Sequence, residues 1–250
     1  MKTISHFPRR LRAGFTLVEL LVVIAIIGIL AGMSLAVIPK VMSSAKKSKA
    51  KMQAQDIVTA IQHYDSVYGR FPVSAFAQTA AGGGDFTYGA IFKTGGAAVD
   101  DLRNSGYAMT NSEVIAILMD YTNYPNSSVA TVNANYQKNP QKIAFLSANM
   151  PGDPGLPGVG PDLVYRDPWG NPYVITMDLN YDESCWDAFY GSTTVSAGGL
   201  NGLISQKDNL GNAVYGYHGK VMVWSAGPDG KIDPASPANQ GVNKDNVLSW

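Results

Sequence analysis

Apolar residues fall along this chain in three patterns. From residue 15 to residue 38 they run almost unbroken: of 24 residues only Glu19 is charged, and Thr16 and Ser34 are the only other polar side chains. At about 1.5 Å per helical residue the run reaches roughly 36 Å, enough to cross a bilayer core of roughly 30 Å with some tilt. From 40 to 68 the pattern becomes amphipathic, with Ile57, Ala60, Ile61, Tyr64 and Val67/Tyr68 at helical spacing. Together these segments predict one helix over residues 15–68, about 80 Å long, whose second half packs on a sheet. Pro39 is the expected site of any kink. Gly69 supplies a left-handed cap and Pro72 a stop.

Beyond residue 70 the third pattern is short apolar runs between Gly, Pro, Asn and Ser clusters. Residues 80–84 and Gly95-Gly96 read as loops. Residues 112–123 read as a short helix with Ser112 as N-cap, and 142–146 as a strand. Residues 150–161 alternate Pro and Gly and are expected to be irregular. Residues 163–165 and 173–175 flank Asp167-Pro168-Trp169-Gly170-Asn171-Pro172 and read strand, turn, strand. Residues 179–219 form a second polar excursion, and Val221-Met222-Val223-Trp224 is a further strand.

The chain has 250 residues, 46% hydrophobic and 15% charged, which suits one globular domain plus an anchor. Its 19 basic and 19 acidic side chains balance, leaving no basic surplus for nucleic acid. Residues 1–14 carry four positive charges and no negative one, so they stay cytoplasmic and the rest lies across the membrane. Lys40, Lys46, Lys47, Lys49 and Lys51 make the next helical stretch basic, suited to anionic lipid or an acidic neighbouring subunit. Cys185 is the only cysteine, so no intramolecular disulfide forms. Gly82-Gly83-Gly84 lacks the Lys-Ser/Thr of a phosphate loop. No paired carboxylates, metal-binding His cluster or catalytic triad can be assembled, and a non-enzymatic role is expected. A carboxylate inside an apolar helix is costly in lipid, so Glu19 is expected to find a positive partner on another copy.

Basic residues, then Gly14, then Phe15-Thr16-Leu17-Val18-Glu19 and an apolar helix resemble the class III signal of type IV pilins and of the pseudopilins of type II secretion. An ordinary membrane anchor or secretory signal explains the apolar run but neither Glu19 nor the Gly14-Phe15 junction. The resemblance implies cleavage after Gly14 by a prepilin peptidase, methylation of Phe15, and pairing of Glu19 with a neighbour's N-terminal amine. Family members commonly carry a Pro where this chain has Ala36. The 64–72 string and the Asp167-Pro168-Trp169-Gly170-Asn171-Pro172-Tyr173 turn are similar to the major pseudopilin. So is the terminal stretch, Ser225-Ala-Gly-Pro-Asp229-Gly230 and on to Trp250.

The resemblance further implies an α+β pilin-like fold: a long N-terminal helix packed on a small antiparallel sheet, with loop insertions. Residues 1–14 are the leader, 15–38 the membrane and assembly half of the helix, and 39–72 its amphipathic half. Residues 73–250 form the head, with 73–160 as an insertion and 161–250 as the C-terminal sheet and loop. The implied function is a structural subunit of a membrane-anchored filament, the pseudopilus of a type II system. A type IV pilin, or an enzymatic or binding head delivered by the same leader, is the alternative. The implied setting is the bacterial inner membrane, crossed once, with the head in the periplasm and later in a filament. Partners would be further copies, minor pseudopilins or pilins, the peptidase, an inner-membrane assembly platform and membrane lipid. The terminal loop implies Ca²⁺ on Asp229, Asp233 and Asp245, a hard cation that takes six to eight oxygens.

Overall fold

The structure is a computed structural model describing residues 14–89, 91–92, 98–99, 110–207 and 211–250, without the side chains of 34–36, 91–92 and 98–99. Residues 1–13 of the basic leader and the Gly95-Gly96 loop lie outside the described residues. The chain divides into two compact units, residues 1–45 and 46–250.

Helix α1 spans Leu17–Tyr68 with Pro39 inside it. In the first unit every described residue from 14 to 45 is exposed. A helix apolar on all sides has no core of its own to enter and needs lipid or other helices around it. By length and composition it can cross a membrane.

In the second unit α1 buries Ala50, Ala54, Ile57, Ala60, Ile61 and Tyr64, so the stripe read from Ile57 begins two turns earlier, on alanines. Gly69 has φ 63°, and its N–H donates to Asp65 O at 2.7 Å, ending the helix where the glycine predicts. Phe71 is buried and stacks on Tyr181, ring centroids 5.2 Å apart.

The remaining elements are α2 (Ala75–Ala80), β1 (Phe86–Tyr88), β2 (Ile91–Phe92), β3 (Ala98–Val99), α3 (Ser112–Leu118), β4 (Gly158–Val159), β5 (Tyr165–Arg166), β6 (Val174–Met177), β7 (Ser184–Cys185), β8 (Ile204–Lys207), β9 (Ala213–His218), β10 (Val221–Ser225) and β11 (Val247–Leu248). The central sheet is antiparallel, in the order β1-β6-β10-β11. Its register puts Ile175 between Tyr88 and Val223, and Thr176 between Thr87 and Met222.

Alternate residues of this sheet enter two different cores. Tyr88, Ile175, Met177, Val221 and Val223 face the core that holds Ile57, Ile61, Tyr64 and α3. Val174, Met222 and Trp224 face a second core with Cys185, Phe189, Tyr190, Val195 and Leu203. The excursion over 179–219 therefore closes the far face of the sheet. Asp187 pins it there: its carboxylate accepts from Thr176 Oγ1 (2.6 Å), Trp224 Nε1 (3.0 Å) and the N–H groups of Phe189 and Tyr190 (both 2.9 Å).

Residues 73–160, read as an insertion, supply β1 and the wholly buried face of α3 to the first core. Helix α3 stops at Leu118 rather than 123, because Asp120 turns to φ 60° and Tyr121 N–H donates back to Ala116 O. Ser112 is not its N-cap. Asn111 occupies that position, and its side chain bridges Tyr165 and Tyr173 instead, donating to both carbonyls and accepting from Tyr165 N–H. Residues 142–146 form no strand: Lys142 has φ 56°, and the N–H groups of Phe145 and Leu146 both donate to Leu118 O.

Candidate functional site

The N-terminal site is built by four residues. Thr16 precedes α1, and its Oγ1 accepts from Glu19 N–H at 3.2 Å. Thr16 N–H and Oγ1 both donate to Glu19 Oε2 at 2.8 Å. This is a capping box, in which Thr and Glu three residues apart satisfy each other's backbone donors. The carboxylate expected to find a positive partner on another copy also accepts two hydrogen bonds from its own chain. The signal was in the sequence as Thr16-Leu-Val-Glu19. Gly14 and Phe15 lie just before the cap, outside the helix, and Phe15 is 82% exposed. Gly28 and Gly32 share one face, and a side chain at either would meet nothing within 4 Å.

In the head, the two C-terminal motifs lock onto each other. Asp167 is fully buried. Its Oδ1 accepts from Trp169 N–H (2.8 Å) and Asn171 N–H (2.9 Å), closing the turn. Its Oδ2 accepts from Ser225 Oγ at the end of β10. Asn171 Nδ2 donates to Gly227 O at 2.7 Å, and Gly227 N–H donates to Ser225 Oγ at 3.0 Å. Gly230 has φ 62°, and a Cβ there would come 2.5 Å from Asn171 Oδ1. Burial raises the Asp167 carboxyl above its ordinary value, against the lowering effect of these donors. Side-chain hydrogen bonds hold the terminal loop where a disulfide is impossible.

Of the three acidic residues singled out in that loop, Asp229 bears on Asp245 through its charge. Burial and then the Asp229 charge raise the carboxyl of Asp245. Asp245 Oδ1 and Asn246 Oδ1 are both buried without a hydrogen-bond donor, a setting of acceptors facing no proton, which a hard cation would suit. Asp233 stands apart. Its carboxylate accepts from Ala235 N–H and Ser236 Oγ, which hold it below the ordinary range. Asn243 fixes that turn by donating to Asp233 O and Ser236 O. Among the described residues no three His, Cys, Asp or Glu side chains converge as a metal-binding group.

Cys185 is wholly buried, and burial with the nearby Asp85, Asp187 and Asp178 charges pushes its thiol well up, so it stays protonated. His63 is exposed on α1, its ring 5.0 Å from that of Phe145. Sequence reasoning missed Asp85. Its Oδ2 accepts from Trp186 N–H while Oδ1 is buried without a partner. Burial, with the Asp178 and Asp182 charges, pushes it up to about 7.

The model of the prokaryotic N-terminal methylation motif matches residues 9–35. No curated protein and no solved structure matches the chain. A long N-terminal helix followed by antiparallel sheets is an α+β, pilin-like fold. With Gly14, Phe15 and the Thr16/Glu19 cap inside the matched stretch, the chain carries the prepilin-type cleavage and methylation signal of type IV pilins and pseudopilins.

Proposed function

We propose that the chain is the structural subunit of a membrane-anchored filament, the pseudopilus of a type II secretion system. A prepilin peptidase cuts between Gly14 and Phe15, and the apolar helix anchors the chain once in the inner membrane with its head in the periplasm. An assembly platform then moves it into a filament of like copies and minor pseudopilins. The single observation that carries this reading is the exposed apolar helix that begins at the Gly14-Phe15 junction under the matched motif. Such a helix loses its exposure only in lipid or among its own kind. Thr16 fixes the orientation of the Glu19 carboxylate, and a neighbour's Phe15 amine takes up its charge, which sets register. In this reading the likeness of the Asp167-to-Tyr173 turn and of the terminal stretch to the major pseudopilin favours the pseudopilus over a pilus. Glu19→Ala tests the proposal: processing and membrane insertion persist while sheared filaments disappear, and normal filaments would refute the pairing.

We also infer a Ca²⁺ ion on the terminal loop. Asp229 and Asp245 would supply carboxylates, and the unpartnered Asp245 Oδ1 supports this. Bound there, the ion would neutralise two like charges and tie the chain after β10 to the residues before β11. Asp233, engaged by Ser236 and Ala235, is left out of the ligand set.

A further inference from the structure

Charge is divided along the chain. Residues 40–51 carry five lysines and no acid, whereas residues 52–250 carry 10 basic and 18 acidic side chains. Lys47 and Lys51, one helical turn apart on α1, rim a groove of about 390 Å³ whose other walls are Asn246, Val247, Leu248 and Trp250. Both lysines are exposed. Among the described residues the ion pairs are Arg166–Asp162 and Lys220–Asp65, so neither lysine is in one. The groove thus combines an apolar wall and two cations.

A matching surface lies on the same molecule. Of the head's exposed large apolar side chains, Met52, Phe76, Val129, Leu156, Tyr181 and Ile204, only Tyr181 is followed at once by two carboxylates, Asp182 and Glu183. All three are exposed. Tyr181 and Glu183 adopt φ 60° and 63°, so the loop turns sharply at each. Its base is firm: Asp178 accepts from Asp182 N–H and Glu183 N–H. Tyr181 rests on Phe71, just past the end of α1, some 20 residues beyond Lys51. At the helical rise that is about 30 Å, so the loop and the groove of one head lie at opposite ends of its helix.

We propose that the 181–183 loop of one copy docks into the Lys47/Lys51–Trp250 groove of another. Two different complementary patches on one molecule allow a head-to-tail contact, which propagates into an open helical array where its rotation does not close. The proposal rests on the filament reading and names the head surfaces that stack within it. Opposed charges across the contact set its specificity, and like charges there are strongly unfavourable.

The test uses the full chain in its own membrane. Lys47→Glu/Lys51→Glu and Asp182→Lys/Glu183→Lys each lower the yield of sheared filaments about tenfold or more, and the two reversals combined restore it. Independently, Lys51→Cys with Asp182→Cys gives a ladder of disulfide-linked multimers under mild oxidation, while either single variant stays monomeric. Unchanged filament yield in the reversals and no ladder would overturn the docking while leaving the filament intact. Loss in the lysine reversal that the acidic reversal does not rescue, again without a ladder, would assign the lysines to anionic lipid and overturn it too. If the unaltered chain forms no sheared filaments, the filament reading fails, and the ladder in the membrane alone decides the docking.

Discussion

Replacing Asp85 by Asn isolates one pH-dependent contribution to the stability of the head. The carboxyl is pushed up to about 7 from an ordinary 3.8, first by burial and then by Asp178 and Asp182, with the Trp186 and Leu179 N–H groups opposing. Between those values the folded chain binds a proton that the unfolded chain does not. Its contribution to stability is therefore complete below about pH 4 and is lost as pH rises through about 7, at about 1.4 kcal/mol per unit in that window. From about pH 5 to about pH 8 the loss amounts to about 3 kcal/mol. Asn keeps an acceptor for Trp186 N–H and carries no charge, so it removes the slope. Asp167, Asp178 and Asp245 are raised as well, but they titrate in both proteins and largely cancel in the difference. Urea denaturation of residues 46–250 and of its Asp85→Asn variant, across that pH range, measures it. The variant should gain about 3 kcal/mol relative to the parent on going from the acidic to the basic end. Parallel stability profiles would refute a buried Asp85 carboxyl that holds its proton to about pH 7.

Gly14→Glu should block processing, and a mature N-terminus still starting at Phe15 would refute the peptidase assignment. A thermal melt of residues 46–250 with Ca²⁺ at 100 times its dissociation constant should show roughly 2.7 kcal/mol of added stability, or about 5–10 °C, reversed by chelator. Asp229→Ala should abolish that shift and Asp233→Ala should keep it; retention in the first or loss in the second contradicts the two-carboxylate site. Ser225→Ala takes a donor from the buried Asp167 carboxylate, at a cost of about 1–3 kcal/mol by denaturation. No change there would mean that the latch between turn and terminal loop is not stabilising.

Much of this was legible because it is local. The unbroken apolar run, the Gly69 cap and the strand over 221–224 follow from nearest neighbours in sequence, and the structure has α1 and β10 there. The helix expected over 112–123 is present but stops at Leu118, and the strand expected over 142–146 is absent, because tertiary contacts decided both. Leu118 O accepts both strand-like N–H groups, and Asn111 leaves its capping role to join Tyr165 and Tyr173. The second core was visible in outline. Val221-Met222-Val223-Trp224 does not alternate with polar residues, as a strand covered on both faces should not. At the candidate sites, the Gly14-Phe15 junction and Glu19 were readable from one stretch of chain. The separation of Asp233 from Asp229 and Asp245 was not, since Ser236 and Asn243 engage that turn from residues with no acidic signature.

The burial of Cys185 has an experimental use. The thiol lies in the outer core, behind the excursion that Asp187 pins to the sheet, and it is the only sulfhydryl in the chain. A thiol reagent reaches it only when that layer lifts, so the labelling rate is a clock for one opening event. Because α1 and the inner core lie on the opposite face, that clock distinguishes peeling of the outer layer from unfolding of the whole head, with no probe added to the protein.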